Sequence, residues 1–426
     1  MDSCAPIEFE ILMSLPDLIE IVPLTGPVQA QITVPGSKSI TNRALILAAL
    51  AKGETVLCGA LWSEDTQVMV EALQELGFMV NVEADLAEFC NRTITVYGRG
   101  GMVPSGGPPD RPMDLFVGNA GTAARFLAAF VCLGSGAYRL HGVPRMHERP
   151  QAALFHALRE LGYRVDSAND RLPAVIHNAE RGTGSAELRR SCTVSIEESS
   201  QFASALLLCA KHGDWDVTII GENGDESPYV AMTAEMIKAF PENGGTFQIE
   251  PDASSGSYFW AAGFYHLGQS QSSTNLNLTG DGLVLEDVWI SSVSVRDWPK
   301  SEWQIDANFP SAMFAIASSA VELGAFETER TMLMGYGSNW RENPEVLHDF
   351  GGQHVGFSRR LDLGDSIMTA LAVAPFCITP VRFTDLGRLR VQECERVVAL
   401  RTELTKCGAR VIEEGDTLTV YPSTLH

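Results

Sequence analysis

One supersecondary pattern recurs along the chain, and it constrains the fold more than any single segment does. Each copy opens with a short polar motif rich in small residues and continues into an apolar helix and a strand. The clearer copies add a second helix that ends near a glycine. Because each unit can bury only one face, the units must pack against one another. The pattern predicts an α/β fold and leaves two arrangements open, domains with helices inside and sheets outside or an α/β layer sandwich.

Five copies of the pattern can be traced, and they open near residues 38, 118, 198, 252 and 364. Predicted helices cover residues 44–50, 65–76, 125–133, 151–161, 202–210, 227–240, 257–265, 367–376 and 392–406. Predicted strands cover residues 54–57, 94–98, 138–141, 217–220, 381–384, 410–412 and 417–421. The Pro- and Gly-rich residues 100–112 predict a surface loop, and residues 270–360 fit the pattern poorly.

Composition excludes several classes of protein. The chain of 426 residues has 53 acidic and 31 basic residues, a formal net charge of -22, so it should repel nucleic acid and anionic membranes. The 9 cysteines form no CxxC pair, which argues against a zinc site and favours reduced, buried thiols. No apolar run reaches membrane-spanning length, and the acidic N-terminus resembles no targeting peptide. We therefore expect a cytoplasmic protein, in which a local basic cluster must hold any anionic substrate.

The first polar motif has the features of an anion site. A strand that contains Ile32 and Val34 runs into Pro-Gly, and Lys38, Ser39 and Arg43 then fall at the loop and the first turn of an apolar helix. Unpaired backbone N–H groups and the helix dipole favour an anion at that place. A lysine point charge and an arginine fork suit phosphate or carboxylate. The alternative for these residues is a solvated, capped helix start.

Seven motifs lie in order along the chain. They are VPGSKSITNR (34–43), GNAGT (118–122), PRMHERP (144–150), SSQ with ESPY (199–201, 226–229), DASSGSY (252–258), GDSIMT (364–369) and RVQECER (390–396). In order and approximate spacing they resemble the motifs of the 5-enolpyruvylshikimate-3-phosphate synthase family of enolpyruvyl transferases. Outside residues 270–360 the resemblance covers most of the chain.

This resemblance implies a fold and a reaction. The fold is a two-domain inside-out α/β barrel of repeated βαβαββ units, with one domain from residues 1–36 plus 252–426 and the other from residues 37–251. The reaction transfers the enolpyruvyl group of phosphoenolpyruvate to the 5-hydroxyl of shikimate 3-phosphate and releases phosphate. The resemblance further implies no metal or organic cofactor, and a monomer that closes about the two interdomain crossings.

The resemblance also assigns roles to residues. Asp365 is the expected base for the 5-hydroxyl, Lys38 moves a proton near the bridging oxygen, and Glu393 protonates the methylene carbon. Shikimate 3-phosphate would be bound by Lys38, Ser39, Arg43, Ser199, Ser200, Gln201, Ser227, Asp365 and Gln392. Phosphoenolpyruvate would be bound by Lys38, Gly121, Arg149, Gln201 and Arg396.

Each of these residue types also has a purely structural interpretation. The serines can cap helices, and Gln201 can complete a capping box. The arginines can be surface charges. Asp365 can be the N-cap of the predicted helix 367–376, either instead of or in addition to its role as a base.

Three departures from the family pattern carry expectations. Gln392 stands where the family usually has lysine, which should weaken shikimate 3-phosphate binding about tenfold. Phe126 stands where proline is frequent, and we expect an altered enolpyruvate pocket and glyphosate response.

The sequence stops at His426, before the sixth unit of the family. This leaves a truncated or non-catalytic shikimate-3-phosphate-binding homologue as an alternative. A UDP-N-acetylglucosamine enolpyruvyl transferase is disfavoured, since no cysteine lies between Cys132 and Cys192.

Overall fold

A computed structural model describes most of the chain. The described residues are 20, 22, 29–85, 91–178, 190–221, 227–269, 278–279, 282–283, 292–318, 355–377, 379–390 and 395–425. The helices are α1 (Lys38–Leu50), α2 (Glu64–Glu75), α3 (Gly121–Phe130), α4 (Pro144–Glu148), α5 (Ala152–Glu160), α6 (Ser200–Gly213), α7 (Ser227–Ala239), α8 (Ala253–Gln269), α9 (Phe309–Ser318), α10 (Ile367–Val373) and α11 (Arg396–Lys406).

The strands are mostly short. They are β1 (Gln29–Ile32), β2 (Lys52–Leu61), β3 (Met79–Ala84), β4 (Asn91–Arg99), β5 (Met113–Phe116), β6 (Ala137–His141), β7 (Arg164–Asp166), β8 (Ala174–His177), β9 (Arg190–Ser195), β10 (Trp215–Ile220), β11 (Gly245–Gln248), β12 (Leu278–Thr279), β13 (Gly282–Leu283), β14 (Ser292–Val295), β15 (Val355–Ser358), β16 (Val381–Thr384), β17 (Arg410–Glu414) and β18 (Thr417–Tyr421).

The repeat predicted from the sequence appears as one sheet topology that occurs three times. In each four-stranded sheet an outer strand runs parallel to its neighbour, and the remaining pairings are antiparallel. The strand orders are β11-β2-β4-β3, β5-β6-β8-β7 and β15-β16-β18-β17. In the first sheet the parallel outer strand β11 comes from much later in the chain, where Thr246 pairs with Val56. Strand β11 therefore joins the third unit to the first.

Helices occupy the interior of these units. Eleven of the thirteen residues of α1 and all ten of α3 are buried, and α3 packs on α6, which packs on α7. Strands β8 and β10 instead alternate between more and less buried positions, as strands with one covered face do. Helices that are apolar on all sides belong in a core. Of the two arrangements left open by the sequence, the structure has helices inside and sheets outside.

Buried apolar side chains form two clusters. One runs from Ile40 to Ile249, and the other runs from Ala261 to Val420. The chain passes between them where Gly36 pairs with Pro251 in an antiparallel bridge. A Cβ at Gly36 would lie 2.0 Å from the carbonyl oxygen of Gly59, so glycine permits this close approach.

Some predicted boundaries were wrong. Helix α8 begins at residue 253 rather than 257, because Asp252 Oδ1 accepts a hydrogen bond from Ser255 N and caps its first turn. Helix α10 ends at Val373, and a 3-10 turn with Pro375 follows it. Part of the stretch that fitted no repeat is helical, since α9 covers an apolar run there. None of the described helices is both long enough and apolar enough to cross a bilayer.

Candidate active site

A cleft of about 490 Å³ is lined from both sides of the crossing between the two clusters. Residues that precede the Pro251 crossing line one wall, and residues that follow it line the other. The lining residues are Ser37, Lys38, Ser39, Leu61, Ser63, Glu64, Asp65, Pro228, Tyr229, Met232, Asp252, Ser254, Ser255, Trp303, Gln304, Ile305, Asp306 and Asp365.

Four helices present their N-terminal ends to this cleft. Lining residues occur at or beside the first turns of α1, α2, α7 and α8, which are 12 to 17 residues long. The unpaired N–H groups of a helix start and its dipole both favour negative charge. These helix starts favour an anion in the cleft, although five of the described lining residues are acidic and one, Lys38, is basic.

Lys38 is the first residue of α1 and brings a cation into the cleft. Its Nζ lies 3.1 Å from Oδ2 of Asp65, which stands in the first turn of α2. The lysine side chain is about half exposed, at 49%. A bound anion would therefore compete with Asp65 for this ammonium group.

Asp365 lies on the opposite wall, in a 3-10 turn over Gly364–Ser366. Its Oδ1 accepts hydrogen bonds from Arg359 Nε at 3.2 Å and Nη2 at 2.7 Å, and its Oδ2 lies 3.8 Å from Arg396 Nη1. The structure thus brings together two predicted site residues, Asp365 and Arg396. The interpretation of Asp365 as an N-cap was wrong, since Ser366 occupies the N-cap position of α10 and the Asp365 carboxylate is held by arginine.

A second acid in this wall, Asp306, is buried and was not identified from the sequence. Asp306 is only 7% exposed, and its Oδ1 accepts a hydrogen bond of 2.6 Å from the backbone N of Ser366. Burial, with smaller contributions from the charges of Asp365 and Asp252, raises the pKa of Asp306 to about 7. Asp306 lies in the stretch that matched no repeat, and an acid before an apolar run signals only a helix start.

Arg43 does not line the cleft in this structure. Its guanidinium donates to Thr233 Oγ1 at 2.7 Å, to the Ser39 carbonyl at 2.9 Å and to Ser204 Oγ at 3.1 Å. It lies over the ring of Phe126, 5.4 Å from its centroid. Burial lowers the pKa of Arg43 to about 10. This side chain ties α1 to α6 and α7, and Phe126 is part of the core beneath it.

Gly121, Arg149 and Gln201 come together near the start of α3, apart from the cleft lining. Arg149 Nη1 donates to the Asn119 carbonyl at 3.0 Å, and a Cβ at Gly121 would lie 2.6 Å from Arg149 Nη2. A larger residue at position 121 would therefore displace this guanidinium. The Gln201 side chain donates to Thr122 Oγ1 at 3.2 Å, and its Oε1 accepts from Arg125. Arg125 follows the GNAGT motif (118–122) by three residues and was not among the predicted site residues.

The predicted serines all lie at helix starts. Ser199 is the N-cap of α6, where its Oγ accepts a hydrogen bond from Gln201 N, so its structural interpretation is confirmed. The Gln201 side chain forms no capping box, because it bonds Arg125 and Thr122 instead. Ser200 and Ser227 are the first residues of α6 and α7, and Ser39 lines the cleft. The predicted residues Gln392 and Glu393 lie outside the described part of the chain.

Comparison with known proteins decides the family. The profile of the family described as EPSP synthase (3-phosphoshikimate 1-carboxyvinyltransferase) matches residues 23–269 and 329–426. The chain belongs to the EPSP synthase family. The 3-phosphoshikimate 1-carboxyvinyltransferase of Nostoc sp. is 33% identical over 430 residues, which cover 96% of this chain and 88% of that protein. The protein of that name from Bordetella petrii is 34% identical over 426 residues, covering 94% and 84%.

A solved EPSP synthase supports the same architecture. The structure from Acinetobacter baumannii has a TM-score of 0.58 and 16% sequence identity, and covers 94% of this chain and 83% of that one. At this identity the likeness concerns the fold alone. The membership of the EPSP synthase family and the enolpyruvyl transferase fold predicted from the motifs are confirmed.

Proposed function

We propose that this chain transfers the enolpyruvyl group of phosphoenolpyruvate to the 5-hydroxyl of shikimate 3-phosphate and releases phosphate. The observation that carries the proposal is the cleft, in which Lys38 and Asp365 face the same space from opposite sides of the Gly36–Pro251 bridge. Both proposed substrates are anions, and helix N-termini with a lysine are suited to hold them. The curated relatives named 3-phosphoshikimate 1-carboxyvinyltransferase add independent support.

In the proposed reaction Asp365 removes the proton of the 5-hydroxyl, and the oxygen forms a bond to carbon 2 of the enol. Arg359 holds Oδ1 of Asp365, so we assign Oδ2 as the oxygen that takes the proton. The methylene carbon gains a proton, for which we propose Glu393 as the donor. Loss of a proton from the resulting methyl group and cleavage of the C–O bond to phosphate then complete the transfer. Lys38 stays beside the bridging oxygen and stabilises the negative charge that develops there.

The remaining predicted binding residues enter this proposal as a second group. Gly121, Arg149 and Gln201 would hold phosphoenolpyruvate, and Ser199, Ser200, Ser227 and Gln392 would hold shikimate 3-phosphate. Arg43 would bind the shikimate carboxylate, although in this structure its guanidinium is hydrogen-bonded to Thr233 and Ser204.

We further propose that residues 1–36 plus 252–426 and residues 37–251 are two domains that close on substrate. The two apolar clusters support this division, because each lies within one of these proposed domains. Closure about the Gly36–Pro251 bridge would bring the two walls of the cleft closer together. Small-angle X-ray scattering tests the motion, since the radius of gyration should fall when shikimate 3-phosphate is added. An unchanged radius of gyration at saturation would contradict domain closure.

The monomeric state and the cytoplasmic location stay predictions.

Phosphorus NMR tests the reaction directly. Purified protein mixed with both substrates should convert the phosphoenolpyruvate signal into inorganic phosphate, while a new phosphate monoester replaces shikimate 3-phosphate in equal amount. Phosphate formed from phosphoenolpyruvate alone would show a phosphatase. Unchanged spectra with both substrates would contradict the proposed transfer.

A further inference from the structure

Asp306 contacts the turn that carries Asp365 on both sides of that residue. On one side its Oδ1 accepts the hydrogen bond from Ser366 N. On the other side lies Gly364, whose φ is +56°, and a Cβ there would be 2.9 Å from Asp306 Oδ2 and 2.6 Å from Ile305 Cγ2. The glycine and the carboxylate are therefore packed against each other, and the turn cannot shift without disturbing Asp306.

The same segment also holds the crossing between the two clusters. Gln304, two residues before Asp306, accepts a hydrogen bond from Ala253 N at 3.0 Å and donates to the Pro251 carbonyl at 2.9 Å. Gln304 as a whole residue is 6% exposed. Residues 304–306 thus connect the chain crossing and the start of α8 to the turn of Asp365 through hydrogen bonds.

We propose that Asp306 is a positioning residue for Asp365, because it fixes the Gly364–Ser366 turn that carries this carboxylate. The inference rests on the proposed function, because it concerns the carboxylate assigned there as the base. Asp306 acts through Asp365 and Ser366, without chemistry of its own.

The charges around Asp306 determine whether its ionisation helps or hinders the binding of anionic substrates. Asp252 and Asp365 line the same cleft, and Arg359 and Arg396 approach Asp365. Asp362, on the segment before the turn, accepts a hydrogen bond from Ser358 N at 2.6 Å. Lys38 and its partner Asp65 face the cleft from the other wall.

Since burial raises the pKa of Asp306 to about 7, this carboxyl gains or loses its proton near neutral pH. Ionised Asp306 adds a third negative charge to a wall that must accept anions, and like charges repel. The KM of both substrates should therefore rise as the pH passes upward through about 7.

Asp306→Asn separates the hydrogen bond that Asp306 accepts from its negative charge. The amide oxygen can still accept from Ser366 N, so kcat should stay within about threefold of the wild-type value, while the titration is lost. Asp306→Ala leaves that buried N–H without its partner and frees the turn, so kcat should fall on the order of tenfold to a hundredfold. Asp362→Asn is the matched control, because it removes a neighbouring buried carboxylate that does not line the cleft.

The experiment is phosphate release between pH 5.5 and 8.5, with KM and kcat determined for the wild type and the three variants. The second pKa of a substrate phosphate is about 6, and its titration changes the KM of the wild type and of the three variants in the same way. We expect the rise of KM near pH 7 in the wild type and in Asp362→Asn but not in Asp306→Asn. Identical profiles for wild type and Asp306→Asn, or a wild-type kcat in Asp306→Ala, would overturn the inference and leave the transfer reaction standing. A wild type that releases no phosphate from the two substrates would overturn both.

Discussion

The Arg359 guanidinium holds one oxygen of the Asp365 carboxylate with two hydrogen bonds, from Nε at 3.2 Å and from Nη2 at 2.7 Å. Arg359 is almost completely buried, with 2% of its side chain exposed, whereas 26% of the Asp365 side chain is exposed. A buried fork that grips one oxygen fixes the orientation of the carboxylate, and the second oxygen then has a defined direction.

Arg359→Gln should therefore lower kcat for phosphate release, because the carboxylate is then free to rotate. We expect a loss of tenfold to a hundredfold, on the order of what misplacement of a reacting group costs. Arg359→Lys retains the charge but not the fork, so its kcat should be intermediate. Steady-state kinetics with both substrates saturating measures this, and a wild-type kcat in Arg359→Gln would contradict the assigned orientation.

Asp65 competes with substrate for the Lys38 ammonium group, at a distance of 3.1 Å between Nζ and Oδ2. Lys38→Met should lower kcat/KM at least a hundredfold. The variant loses both the charge-assisted contact to the substrate and the stabilisation of the negative charge that develops during the reaction.

Asp65→Asn should act in the opposite direction and lower KM about twofold to fivefold, because exposed ion pairs are weak and the Lys38–Asp65 pair opposes substrate binding. A raised KM in Asp65→Asn would show that the pair instead holds Lys38 in place for the substrate.

Gly121→Ala tests the group around Arg149. The new Cβ would lie 2.6 to 2.8 Å from three atoms of the guanidinium, so Arg149 must move. We expect the KM for phosphoenolpyruvate to rise about tenfold and the KM for shikimate 3-phosphate to stay the same. The second substrate is the internal control, and equal changes in both constants would count against a phosphoenolpyruvate site there.

The pH dependence of stability tests the burial of Asp306 separately from turnover. Its pKa is raised from an ordinary value near 3.8 to about 7, so between these values the folded chain binds more protons than the unfolded chain. The stabilising contribution is thus present at low pH and is lost as the pH rises to about 7. Relative to Asp306→Asn, the wild type should lose about 2–3 kcal/mol between pH 5 and pH 8. Denaturant unfolding at several pH values measures the difference, and a pH-independent difference would contradict the raised pKa.

Sequence reasoning located the helix starts of the site well, and for a physical reason. Lys38, Ser199 and Gly121 stand where polar, small-residue motifs meet apolar runs, and such junctions are local properties of the chain. The pairing of Thr246 with Val56 was not predictable, because register between distant strands depends on tertiary packing.

The hydrogen-bond partners of the site side chains could not be predicted from the sequence either. The motif around Arg43 predicted an anion-binding residue. Its hydrogen-bond partners Ser204 and Thr233 are 161 and 190 residues away in the sequence. Asp306 was missed because its importance comes from Ser366, 60 residues further along. Motifs therefore predicted which elements surround the cleft, while the distribution of charge within it required the structure.

The central claim is tested most directly by the initial rate of phosphate release from shikimate 3-phosphate and phosphoenolpyruvate, measured in parallel for the wild type and Asp365→Ala. We predict release that requires both substrates in the wild type, and at least a hundredfold lower rate in the variant, with binding of shikimate 3-phosphate retained by calorimetry. Release that proceeds without shikimate 3-phosphate, or at the wild-type rate in Asp365→Ala, would contradict the account.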